Sequence, residues 1–169
     1  AEVTMRDGRP ADVSFESVPS FLFARERTLT LGRWGKVTFD IAYGGAFYAL
    51  ADARQFGLKF GRDPVAGFID AADSLTRAAQ AAIPLSHPDA QDLAFLYGTI
   101  LTDGSDAWSA QPTRNVCVFA DRQVDRSPTG SGVTARLAAM HARGQIAPGQ
   151  ERVFQSIIGS RFTGRVASV

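Results

Sequence analysis

A chain of 169 residues is the size of one domain and long enough to bury most of its apolar surface. Its composition, 45% hydrophobic and 21% charged with a formal net charge of +1, gives no electrostatic reason to expect nucleic acid or an anionic membrane as partner. The single cysteine excludes an internal disulfide framework and fits a reducing compartment. No apolar run is long enough to span a bilayer, and AEVTMRDGRP lacks the form of a signal peptide, so the expected location is the cytoplasm. The absence of an initiator methionine leads us to expect a chain processed or cut from something longer.

The first fifty residues read as sheet. VSFESVPSFLFA alternates apolar and polar positions until Pro19, and RTLTLG and KVTFDIAY continue in β-rich composition. Gly44-Gly45 is a turn signal, which predicts a hairpin over residues 37–52. At Asp63-Pro64 the pattern changes. Asp63 suits an N-cap and Pro64 the first helical position, and Val65, Phe68, Ile69, Ala72 and Leu75 recur at helical spacing up to Ile83, before Pro84. A loop at SHPDAQD leads to a strand at AFLYGTILT. DGSDAWSAQPT is a polar loop, and NVCVFAD a short strand.

DRSPTGSGVTARLA, residues 125–138, is a polar turn running into a second helix, predicted from Gly132 to Arg143 with Gly144 as its stop. RVFQSIIG and RFTGRV close the chain as two strands. VTARLAAMHA is small and apolar around most of its circumference, so this helix should be buried on most sides. A short helix among many strands implies an α+β fold, with a mostly antiparallel sheet wrapped around a central helix. The arginines of the last third (Arg136, Arg143, Arg152, Arg161, Arg165) are spread out and read as solvated faces and local pairs.

The chemistry concentrates at residues 125–131. Gly130 and Gly132 leave backbone amides unobstructed at a helix start, where unpaired N–H groups and the positive dipole end favour a carboxylate or phosphate. Ser131 adds a hydroxyl, and Asp125 could hold a cationic amine. Together they fit a zwitterion. The plainer reading, a capped helix start with an Asx-type turn, is the commoner meaning of a GxG segment.

The stretch resembles the second active-site motif of the proline racemase family, which has the form DRSPCGTG. ESVPSF (16–21), VTFDIAYGGAFYALADA (37–53), YGTILTD (97–103), RNVCVFADRQVDRSP (114–128) and SIIGSRFTGRV (156–166) resemble the same family, in order over nearly the whole chain. The resemblance implies the diaminopimelate epimerase-type fold of two similar lobes, each a sheet around a central helix. It implies that Asp125 contacts the substrate ring nitrogen, that Gly130 and Ser131 hold the carboxylate, and that Phe119 packs on the ring. Thr129 stands where racemases and epimerases carry a catalytic cysteine. No cofactor and no metal is implied.

Inverting an α-carbon needs an acid on one face and a base on the other, and a thiol near a helix N-terminus can be tuned for either role. A threonine hydroxyl is too weak an acid, and no base stands beside it in sequence. Dehydration needs only one strong base, and the cysteine-plus-threonine pairing resembles that of the trans-3-hydroxy-L-proline dehydratases of this family. The resemblance thus implies a lyase in which the other cysteine takes the α-proton, the 3-hydroxyl leaves as water, and Thr129 orients the substrate or the leaving group.

Nothing here matches the family's first-cysteine motif, of MCGH type. Cys117, between apolar neighbours, reads as an inert core residue. The expectation is therefore one lobe, residues 1–169, the second of two, carrying half a site and inactive alone. Its partners would be an imino acid substrate and the first lobe, and an apolar docking face would favour self-association. His87 reads as a loop residue, His141 as a partner of the helix C-terminal dipole, and Trp34 and Trp108 as packing anchors. The two histidines and the cysteine lack metal-ligand spacing. Three rival readings stand: an isomerase (proline racemase or 4-hydroxyproline epimerase), against which Thr129 argues; a non-catalytic imino-acid-binding module; and phosphate binding through GSG, which lacks a P-loop lysine or Rossmann pattern.

Overall fold

The computed structural model describes residues 1–169. Strands β1 (Glu2–Arg6) and β2 (Arg9–Ser14) form a separate antiparallel hairpin, exposed throughout. Its turn is Asp7-Gly8, both at positive φ (50° and 73°), the geometry that matches strand twist in a two-residue hairpin. The strand expected to run on to Pro19 stops at Ser14 instead. Residues 15–20 leave the sheet and cross the second helix, where Ser17 Oγ accepts a hydrogen bond from Thr134 Oγ1 at 3.0 Å.

The main sheet follows the order β10-β9-β7-β6-β5-β4-β3. Strands β3 (Phe21–Leu31), β4 (Gly35–Tyr43) and β5 (Phe47–Asp52) make an antiparallel meander, with the expected turn at Gly44-Gly45. Helix α1 (Val65–Ala82) then carries the chain across to β6 (Leu96–Thr102), parallel to β5. Strand β7 (Thr113–Phe119) is antiparallel to β6 and has the short β8 (Gln123–Val124) beside it. After helix α2 (Gly130–Ala142), β9 (Arg152–Gln155) meets β7 only at Thr113 and Arg114, and β10 (Arg161–Gly164) pairs with β9.

Strand alternation sorts side chains to two faces. Ile41, Ala49, Leu101, Val116 and Val118 turn towards Phe68, Ala72 and Leu75 of α1. Ala42, Tyr48, Ile100 and Cys117 turn the other way, towards Ala135 and Ala139 of α2. Helix α2 also touches β3 and β10, at opposite ends of the strand order. A helix about 10–12 Å across meets both ends only if the sheet curls around it. The fold is α+β, with a mostly antiparallel sheet around α2.

Three local details depart from expectation. Pro64, not Asp63, is the N-cap of α1, because the Asp63 carboxylate already accepts the Lys59 amide at 2.8 Å. Helix α2 starts at Gly130 rather than Gly132 and ends with Arg143 as C-cap and Gly144 at φ 68°. Arg136 and Arg152 are not on solvated faces: each is 1% exposed. Arg136 finds Asp106, Thr113 and Asn115, while Arg152 donates to the carbonyls of Ser105, Ser109 and Gln111, pulling the polar 103–112 loop down onto it. These bonds engage the Nη atoms of both buried cations, while the Nε of each finds no partner. Trp108 pins the same loop through Nε1 to the Glu151 carbonyl, and Trp34 packs edge-on against Phe56. His87 lies against Tyr43 and accepts the amides of Asp89 and Ala90; His141 Nδ1 lies 3.3 Å from the Ile146 carbonyl.

Candidate active site

The loop from β8 to α2 is held by its own polar side chains. The Asp125 amide donates to the Cys117 carbonyl, tying the loop to β7. Asp125 Oδ1 accepts the Ser127 amide at 2.8 Å, and Oδ2 accepts the Thr129 hydroxyl at 2.9 Å. Ser127 Oγ accepts the Thr129 amide at 3.0 Å. Sequence showed no base beside Thr129; folding places a carboxylate there. Thr129 is 6% exposed and sits at φ 69°, rare for a β-branched residue. Its proton is committed to Asp125, so its oxygen offers the surroundings only lone pairs.

Thr129 is the N-cap of α2 but does not cap it with its side chain. The amides of Gly130, Ser131 and Gly132 therefore have no protein acceptor, which leaves the positive helix end available to an anion. A Cβ at Gly132 would meet Ile100 Cδ1 at 2.5 Å, so a side chain there would require Ile100 to shift.

Ser131 Oγ lies 2.8 Å from the Tyr48 hydroxyl on β5. Burial pushes the Tyr48 phenol far above its usual range, against the opposing effect of the Ser131 hydrogen bond. Tyr48 thus stays protonated, and when it donates to Ser131 the serine proton is free for the cleft. Tyr97 stacks on Phe119 (centroids 5.3 Å, planes 13° apart), and Tyr48 meets Tyr97 edge-on at 5.7 Å.

These groups surround one cleft of about 390 Å³. Phe119, Asp125, Thr129, Gly130 and Ser131, the five residues singled out in sequence, all line it, joined by Tyr48, Tyr97 and the Gly45-Ala46 turn. Tyr48 and Tyr97 lie in segments that carried the family resemblance, but period-two alternation marked both only as strand residues. Cys117, directly below on β7, is fully buried, and burial pushes its thiol up to about 12 despite the neighbouring Thr129 hydroxyl. No three His, Cys, Asp or Glu side chains are grouped to hold a metal ion.

The proline racemase family model matches residues 1–169. The chain belongs to the proline racemase family. It is 51% identical over 166 residues to the trans-L-3-hydroxyproline dehydratase of Xenopus tropicalis, covering 98% of this chain and 48% of that protein. The human trans-3-hydroxy-L-proline dehydratase is 51% identical over 167 residues, covering 98% and 47%. A 3-hydroxyproline 2-epimerase of Burkholderia multivorans is 43% identical over 162 residues, covering 95% and 48%. Among solved structures, a hydroxyproline epimerase of Agrobacterium vitis with bound trans-4-hydroxy-L-proline superposes with a TM-score of 0.86 at 34% identity, covering 99% of this chain and 50% of that one. The chain thus spans about half the length of the relatives it matches. No helix is long and apolar enough to cross a membrane.

Proposed function

We propose that this chain is the second lobe of a two-lobed enzyme that dehydrates trans-3-hydroxy-L-proline to a pyrroline-2-carboxylate, with the base cysteine on the other lobe. One observation carries the reading. The position at the helix start where an inverting enzyme needs a thiol holds Thr129, whose proton is engaged by Asp125, while the only thiol in the chain is buried away from the cleft, which pushes it up to about 12. This lobe offers no second acid for inversion, and similarity to two dehydratases at 51% identity supports the same conclusion.

In this reading the amides of Gly130 and Ser131 and the Ser131 hydroxyl, primed by Tyr48, take the substrate carboxylate. Asp125 takes the ring ammonium through its remaining lone pairs. The Phe119 ring, backed by Tyr97, packs on the pyrrolidine. The thiolate of the other lobe removes the α-proton, and the electron pair forms the Cα–Cβ double bond as the C3–O bond breaks. The departing hydroxyl takes the proton now held by that thiol and leaves as water, which regenerates the thiolate. Thr129, a lone-pair donor only, accepts a hydrogen bond from the 3-hydroxyl and fixes its direction.

The exposed apolar side chains of Phe15 and Val18, which lie near Gly130 and Gly45 of the cleft, support docking of the other lobe over this edge. The chain by itself is then half a site and inactive. The unpaired thiol of Cys117 supports a cytoplasmic location.

Proton NMR in deuterium oxide on the full-length protein tests the function. Conversion of trans-3-hydroxy-L-proline to a pyrroline carboxylate or its imine tautomer, with L-proline and trans-4-hydroxy-L-proline left uninverted, is the expected result. Inversion at the α-carbon with deuterium incorporated would refute it in favour of an epimerase, the activity named for the Burkholderia relative.

A further inference from the structure

Thr129 holds a left-handed backbone conformation, and a β-branched residue stays there only where its neighbours over-determine it. On the loop side the neighbours are Asp125 and Ser127. On the opposite side the peptide unit entering Thr129 is held through its carbonyl: Pro128 O accepts Asn115 Nδ2 at 3.1 Å. Changing φ of Thr129 swings the chain relative to that peptide plane, so a clamp on the carbonyl resists the change.

Asn115 is fully buried on β7 and does not line the cleft. Its amide is oriented in turn by Arg136, whose Nη1 donates to Asn115 Oδ1 at 3.0 Å. Arg136 is anchored independently of the cleft: Nη2 donates to Asp106 Oδ1 at 2.6 Å and to Thr113 Oγ1 at 2.7 Å, and its guanidinium lies 5.0 Å from the Phe154 ring. A side-chain amide accepts from a guanidinium and donates to a carbonyl at once; a carboxylate in its place would have no donor to offer.

We propose that Asn115 and Arg136 are positioning residues of this site: a buried clamp that locks the Pro128–Thr129 peptide plane, holding the Thr129 hydroxyl on Asp125 and its lone pairs towards the cleft. What the aimed hydroxyl does rests on the dehydratase reading; the clamp itself does not.

The test uses the full-length protein carrying Asn115→Asp, which keeps the shape and the arginine pairing but loses the donor. A crystal structure of the variant is expected to show Thr129 out of the left-handed region and its hydroxyl beyond hydrogen-bond distance of Asp125. The kcat for dehydration is expected to fall about 10- to 100-fold, the scale set by an ångström of misplacement, with KM changed much less. In a Thr129→Ala background the same substitution should add little, because the group it positions is gone. An unchanged Thr129 conformation, or an equal loss of kcat in both backgrounds, would overturn the proposal. Where Asn115→Asp does not fold, Asn115→Leu, which keeps the volume and has no donor, takes its place. If the protein does not dehydrate 3-hydroxyproline, the function fails while the crystal structure still decides the clamp.

Discussion

Replacing Gly44 by alanine puts a methyl group where helix α2 passes. A Cβ built there would lie 2.9 Å from the carbonyl carbon of Thr134, and the Ala135 amide nitrogen and Ser131 carbonyl oxygen would be closer still. All three are backbone atoms, so no rotamer change gives relief. The helix would have to retreat by roughly an ångström to restore ordinary carbon contact distances. Overpacking costs about 1–3 kcal/mol where side chains can yield, and a backbone obstacle puts this site near 3 kcal/mol. With a urea slope of about 2 kcal/mol per molar, the unfolding midpoint should fall by about 1.5 M. The assay is equilibrium urea denaturation of the full-length protein beside Gly67→Ala. There the added Cβ meets only a flexible Leu58 methyl at 2.9 Å. That control sits inside α1, where alanine is favoured over glycine by about 0.5–1 kcal/mol, so its midpoint should barely move. A Gly44→Ala midpoint within about 0.3 M of the parent would refute the claim that the Gly44 turn fixes the height of α2, since it corresponds to under about 1 kcal/mol at such slopes.

Tyr48→Phe keeps the edge contact with Tyr97 and removes only the hydroxyl next to Ser131; stability should drop by about 1 kcal/mol, and steady-state kinetics should show KM raised about fivefold with kcat nearly unchanged, as for lost uniform binding. Cys117 should resist iodoacetamide at pH 8 in the native protein and react fully in urea, as read by mass spectrometry. Because its folded value is raised, its contribution is complete below the unfolded thiol value of about 8.5 and is lost as pH rises towards 12, so Cys117→Ala should flatten the alkaline fall in stability. Burial works to raise the Asp103 carboxyl, but hydrogen bonds from Ser105, Arg114 and Thr113 outweigh it and hold it below the usual carboxylate range. Its contribution is present above about pH 4 and lost as pH falls through the lowered value, so Asp103→Asn should destabilise the protein at pH 7 and shrink the difference from the parent in acid, in urea titrations at several pH values.

What could be read without coordinates was local. The turn at Gly44-Gly45, the start of α1 at Asp63-Pro64, the stop at Gly144 and the polar turn of residues 125–131 each depend on the conformational limits of a few adjacent residues, which sequence displays directly. The burial of α2 was legible for the same reason, from small apolar residues all round one helix. The five cleft residues were found because four lie within seven consecutive positions and Phe119 lies just upstream. Their assignment to a chemistry came from resemblance, since spacing alone also fitted a capped helix.

Tertiary structure decided what depends on distant partners. Tyr48 and Ser131 are 83 positions apart, and nothing local in β5 says that its tyrosine hydroxyl will meet a serine. Arg136 and Arg152 looked like surface charges because burial of a cation depends on where its acceptors converge. For Arg136 these come from Asp106, Thr113 and Asn115, brought together only when β7 and the 103–112 loop fold against α2. The unusual backbone of Thr129 had no mark in the sequence either, because threonine disfavours it locally. The sequence by itself determined where the chain turns and which residues could meet an anion; the packed sheet around α2 decided the direction in which the threonine points, because only tertiary contacts can hold a residue in a conformation its own chemistry resists.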